Sequence, residues 1–92
     1  MSIYVTIAKV REALEAADIE PDEGDQFVQT IECDHELYGP ETYNVATSRA
    51  EDSVRELCDA TGQDIRTDEM LELTMATARY YMSTPEFDED EA

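Results

Sequence analysis

The stretch AEDSVRELCDATG, residues 50–62, decides the fold expected of this chain. Its apolar side chains recur at the spacing that places them on one face of a helix: Ala50, Val54, Leu57 and Cys58. Gly62 follows them, and glycine commonly ends a helix because it adopts the left-handed backbone conformation. The stretch therefore predicts the second half of an amphipathic helix that runs from about Thr42 to Thr61, with Ala46 on the same face.

Two other stretches carry the same pattern. The first extends from Thr6, a capping residue, to Ala17, with an apolar stripe of Ile7, Val10, Leu14 and Ala17. The last begins at Thr67, which can cap a helix whose dipole favours the acids that follow it. Its predicted stripe is Leu71, Met75, Ala78 and Met82, widened by Leu73 and Tyr80, and Pro85 closes it. Both stretches predict helices.

The segment from Gly24 to Gly39 leaves two alternatives open. A helical stripe is formed by Phe27, Val28, Ile31, His35 and Tyr38, whereas Phe27, Ile31 and Cys33 also fit a strand. The helix is favoured. Four helices predict an all-α, compact four-helix bundle over residues 1–84, and the acidic, non-periodic PEFDEDEA over residues 85–92 predicts a flexible tail.

The charge of the chain is strongly negative. It has 24 Asp and Glu residues against 6 Lys and Arg, a formal net charge of −18, and Lys9 is the only lysine. Such a surface suits concentrated salt, where the Debye length falls to about 3 Å and neighbouring carboxylates no longer repel one another. We therefore expect a protein of a halophilic host or its virus, located in the virion or in the host cytoplasm. Tight nucleic-acid binding is not expected.

The sequence contains no recognisable catalytic, cofactor or metal motif. The single histidine lies in ECDHE, residues 32–36, and no second histidine is present to complete a metal site. The spacing of Cys33 and Cys58 matches neither a CxxC pair nor a disulfide framework. We expect free thiols, with Cys58 in the core, and no enzymatic activity. No apolar run is long enough to span a membrane, and no signal segment is recognised.

Aromatic side chains provide the candidate contacts with other proteins. Tyr80 and Tyr81 are adjacent on a helix and point about 100° apart, so at least one should face outward. Because tyrosine is enriched in protein interfaces, the candidate interface residues are Tyr4, Tyr80, Tyr81 and Phe87. This supply of tyrosine favours a protein that binds other proteins.

Three segments also carry a family resemblance. YVTIAKVREAL (4–14) opens the chain, AEDSVRELCDATGQDI (50–65) ends the third helix, and MLELTMATARYYMSTPEF (70–87) contains the last. In this order they resemble the small head-to-tail adaptor proteins of tailed double-stranded-DNA viruses, although residues 20–43 are longer than in that family. The resemblance implies a homo-oligomeric ring that joins the portal protein to a tail-completion protein. The alternative is a small acidic cytoplasmic regulator that binds a basic protein.

Overall fold

The computed structural model describes residues 7–83, which form four packed α-helices: α1 (Ile7–Ala16), α2 (Pro21–Tyr38), α3 (Tyr43–Thr61) and α4 (Asp68–Met82). The all-α prediction is confirmed, and so is the helix, rather than the strand, between Gly24 and Gly39. The predicted cap Thr6 and the predicted tail lie outside the described residues. None of the helices within residues 7–83 is long and apolar enough to cross a membrane.

Helix α2 begins before the segment that its apolar pattern indicated. Pro21 occupies its first turn, where a missing backbone N–H costs nothing, and two acids follow in that turn near the positive end of the helix dipole. Its inward face consists of Phe27, Val28 and Ile31, each at most 6% exposed. This is one continuous helical stripe, because Cys33 of the alternative strand pattern is exposed.

Helix α3 agrees with its sequence pattern in detail. All five predicted core residues are buried: Ala46, Ala50, Val54, Leu57 and Cys58. Gly62 has φ 78°, and its N–H donates to the Cys58 carbonyl at 2.8 Å. An added Cβ at Gly62 would meet no heavy atom within 4 Å, so the backbone conformation alone explains the glycine.

Helix α4 begins as predicted but turns a different face inward. The Thr67 hydroxyl accepts a hydrogen bond from the Met70 N–H at 3.3 Å, which confirms the cap. The predicted stripe is wrong in part, since Leu71 is 51% and Met75 54% exposed. Ala78 and Leu73 are buried as predicted, and the other buried residues of α4 are Met70, Thr77 and Tyr81.

The physical reason for this difference is a polar residue in the true core stripe. Thr77 is fully buried, and its hydroxyl donates to the Leu73 carbonyl at 2.8 Å within the same helix. The hydroxyl therefore needs no partner from outside the helix, and α4 can bury it between its neighbours. A search for apolar residues alone leaves Thr77 out of the core.

Helix α1 packs against α4. It buries Val10 and Leu14, and the chain then reverses through Asp18, a non-glycine residue in the left-handed region at φ 61°. The Gln63 side-chain amide, in the loop that precedes α4, donates to the Ala17 carbonyl at 3.3 Å. The end of α1 is therefore held beside the beginning of α4.

Candidate protein-binding surface

Large apolar side chains are exposed where α2 is connected to α3. Within residues 7–83 six large hydrophobic residues are exposed, and four of them lie in this short region. They form what we term the junction surface: Leu37 (70% exposed), Tyr38 (52%), Tyr43 (69%) and Val45 (40%). Because they lie within residues 37–45, these exposed apolar side chains are the candidates for contact with another molecule.

The backbone of the junction is held to the rest of the bundle. The Glu41 N–H donates to the Tyr81 carbonyl at the end of α4, at 3.0 Å. The Arg49 guanidinium donates to the Glu41 carboxylate and lies 4.1 Å from the centre of the Tyr38 ring. Tyr38 is therefore positioned by a cation–π contact although half of its surface faces solvent.

The single histidine fixes the other side of the junction. His35 Nε2 donates to the Ser83 carbonyl at 3.0 Å, and the His35 ring lies 4.8 Å from the ring of Tyr80. A Cβ on Gly39 would lie 2.6 Å from His35 Cδ2, so the turn approaches the imidazole more closely than a larger residue permits. His35 thus joins the end of α2 to the end of α4.

The four interface candidates named from the sequence have different outcomes. Tyr81 is fully buried, so its side chain does not face solvent in this fold. Tyr80 is half-buried against His35 and keeps part of its ring accessible. Tyr4 and Phe87 lie outside the described residues and stay predictions. The junction surface was missed, and its available signal was the pair of tyrosines on either side of Gly39 and Pro40.

The buried Tyr81 takes part in a polar contact between helices. Its hydroxyl donates to Asp34 Oδ2 at 3.2 Å and lies 3.4 Å from Ser53 Oγ. Burial raises the pKa of the Tyr81 phenol to about 12, because the phenolate would lose its hydration, and the nearby Asp34 charge acts in the same direction. Tyr81 is therefore a neutral hydrogen-bond donor at ordinary pH.

A groove runs between α2 and α3 and is made of two adjoining cavities. The larger, of about 260 Å³, contains Phe27 and Leu57 among its lining residues, with Glu23 and Glu56 also present. The smaller, of about 200 Å³, extends to Asp34, Asp52 and Arg49. The two share Thr30, Ser53 and Glu56, and we term them together the α2–α3 groove.

A second groove lies between α1 and α4. Its cavity of about 620 Å³ is lined by alanines and Met75, with two acids and two bases: Glu12, Glu72, Lys9 and Arg79. We term it the α1–α4 groove. Its charged side chains balance, whereas those of the α2–α3 groove are mostly acidic.

The helices differ in charge, as the two grooves do. Helix α2 has six carboxylates and no lysine or arginine, whereas α1 has two carboxylates, one lysine and one arginine. Acids occur in every helix, but the fold places the most acidic one along the α2–α3 groove. Two of the six carboxylates of α2, Glu23 and Asp34, line that groove.

The thiols and acids form no metal site in the described part of the chain. Within residues 7–83 no group of three or more His, Cys, Asp and Glu side chains is arranged to hold a metal ion. Cys33 is a free, exposed thiol, and Cys58 is a free thiol in the core. Burial raises the pKa of Cys58, which makes it a poor nucleophile.

Comparisons with protein-family models, with characterised proteins and with solved structures find no match to this chain.

Proposed function

We propose that this chain is a non-enzymatic assembly protein that binds other proteins, and that its most specific form is a virion head-to-tail adaptor. The observation that carries the proposal is the junction surface, where four large apolar side chains face solvent. A protein with so many carboxylates keeps apolar side chains exposed at a cost in solubility, which binding to a protein partner removes.

The composition of the junction surface supports a protein partner. Two of its four residues are tyrosines, which bury a large area and retain a hydroxyl that can bond at the rim of an interface. Arg49 holds Tyr38 in place before any partner arrives. A preorganised aromatic side chain loses little conformational entropy when it is covered.

The adaptor form is supported by the three segments that resemble that family. They fall mainly on α1, α3 and α4, and α4 packs against both of the other two. In this form several copies assemble into a ring, with a portal protein on one side and a tail-completion protein on the other. The place of action is then the virion of a virus that infects a halophilic host.

A second candidate is favoured by the charge of α2. A free cytoplasmic regulator that captures a basic protein needs many carboxylates, and α2 supplies six, of which Asp25 is paired with Arg11 of α1 at 2.9 Å. Its partner would be recognised through lysine and arginine side chains. The two candidates differ in whether the chain associates with itself.

The molar mass in molar KCl, from light scattering after size exclusion, tests the assembly proposal. We expect oligomers that dissociate when Leu37 and Tyr43 are both changed to serine. The matched control is Leu71→Ser with Met75→Ser, the other exposed apolar pair among residues 7–83. A monomer at every concentration would contradict self-assembly and favour the regulator, and equal loss in both variants would show that the junction surface has no special role.

A further inference from the structure

The α2–α3 groove combines apolar and charged lining residues. Phe27 and Leu57 line the larger cavity but are each only 6% exposed, so most of each side chain already lies in the core. Thr30 and Ser53 are small and keep the space between the helices open. A single apolar side chain of a partner can enter here and cover surface that the bundle leaves in contact with water.

The groove is also selective by charge. Carboxylates come from both helices, Glu23 and Asp34 from α2 and Asp52 and Glu56 from α3. Arg49 is the one cation among the described residues that line it, and this guanidinium is already engaged by Glu41 and Tyr38. Asp34 accepts the Tyr81 hydroxyl and Asp52 lies 3.9 Å from Arg55 Nη1, so the attraction for a positively charged ligand rests on Glu23 and Glu56.

The groove leads to the junction surface. Arg49 lines the smaller cavity and also lies over the Tyr38 ring, 4.1 Å from its centre. A segment that lies in the groove can therefore continue onto Tyr38 and its exposed neighbours. The groove and the junction surface together offer an extended face with acids along it and apolar residues at one end.

We propose that the α2–α3 groove binds a basic amphipathic segment of a protein partner. One apolar side chain of that segment occupies the cavity beside Phe27 and Leu57, and lysine or arginine side chains pair with Glu23 and Glu56. The inference rests on the proposed function, for which it specifies the chemistry of the partner. In molar salt only charges in close contact still attract each other. The partner's lysine or arginine side chains must therefore lie directly beside Glu23 and Glu56, and a positive net charge alone is not enough.

The test uses a synthetic, fluorescent amphipathic peptide of about five helical turns, with leucine on one face and lysine on the other. Its binding to the whole chain is measured by anisotropy in molar KCl. Replacement of both Glu23 and Glu56 by Gln should weaken binding about five- to tenfold. A peptide with glutamate in place of every lysine should not bind.

The matched control removes two carboxylates from the α1–α4 groove, with Glu12→Gln and Glu72→Gln. Both variants have the same net charge, so a general attraction between a basic peptide and an acidic protein weakens equally in both. We expect the control to bind within about twofold of the unmodified chain, a change of under roughly 0.5 kcal/mol. Equal weakening in the two variants would overturn the proposal.

A second pair of variants tests occupancy of the cavity. Ala60 lines the larger cavity and is exposed, and Ala60→Trp should fill the space and abolish peptide binding. Ala16→Trp places the same side chain in the α1–α4 groove and should leave binding intact. Circular dichroism verifies that both variants keep their helices. Unchanged binding in Ala60→Trp would overturn the proposal. The proposed function is tested separately, by the molar mass of the chain in molar KCl.

Discussion

The hydroxyl of Tyr81 donates a hydrogen bond to Oδ2 of Asp34 at 3.2 Å, which connects the last turn of α4 to α2. The same tyrosine receives the Glu41 N–H at its carbonyl oxygen, so one residue holds both α2 and the connection that follows it. Asp34 also lines the α2–α3 groove. Tyr81, a core residue of α4, therefore contacts both a residue of the α2–α3 groove and the connection within the junction surface.

Alkaline pH should destabilise the fold through Tyr81. The pKa of its phenol is about 12 in the folded chain against about 10 for an unperturbed tyrosine. Between these values the unfolded chain releases the proton that the folded chain keeps, so this contribution to stability is complete below pH about 10 and is lost as pH rises to about 12. We expect a loss on the order of 2 kcal/mol, measured by denaturant unfolding across this range.

Tyr81→Phe identifies the residue responsible. This variant should lose about 1 kcal/mol at neutral pH, through the hydrogen bond to Asp34, and should show a shallower alkaline decline. Tyr43→Phe, at a residue that is 69% exposed, is the matched control and should keep the full decline. An unchanged slope in Tyr81→Phe would assign the alkaline effect to other groups.

The inward face of α4 can be verified with two leucines of one helix. Leu73 is fully buried and Leu71 is 51% exposed. Leu73→Ala should lower the free energy of unfolding by about 2–5 kcal/mol, because it leaves a cavity, whereas Leu71→Ala should cost less than about 1 kcal/mol. A larger loss of unfolding free energy in Leu71→Ala than in Leu73→Ala would contradict this inward face of α4.

Two glycines should respond to alanine with opposite signs. A Cβ on Gly24 would lie 3.7 Å from Leu14 Cδ1, an ordinary contact, so Gly24→Ala should stabilise α2 by about 0.5–1 kcal/mol. A Cβ on Gly39 would lie 2.9 Å from the His35 carbonyl oxygen, which cannot rotate away. Gly39→Ala should therefore destabilise the chain, as thermal unfolding measures. Stabilisation by both variants would contradict the close approach at His35.

Folding should depend on salt because of the net charge of −18. We expect the thermal midpoint to rise between dilute and molar KCl, since screening weakens repulsion among carboxylates. In dilute buffer Glu32→Gln with Glu36→Gln should stabilise the chain, because α2 has no lysine or arginine. Glu12→Gln should stabilise the chain less, because Glu12 Oε1 lies 4.0 Å from Lys9 Nζ. A midpoint independent of salt would contradict the halophilic interpretation.

Helix α3 shows how much of the fold can be predicted. Its five core positions and its glycine stop follow from local spacing, and local spacing is a property of the sequence. Helix α4 shows the limit, because two overlapping stripes are compatible with its sequence and its packing against α1 and α3 selects one. The candidate site is at the same limit: the sequence indicated that at least one of Tyr80 and Tyr81 faces outward, but not which of the two.

The sequence by itself determined that this chain is helical, where most of its helices begin and end, and that it is highly acidic, because periodicity, caps and charge are local or additive properties. Only the tertiary structure decided that Tyr81 lies in the core, that Leu37 and Tyr43 are exposed, and that Glu23 and Asp34 of α2 line a groove. These features depend on which helix faces lie against one another, and that choice is made by the packing of all four helices together.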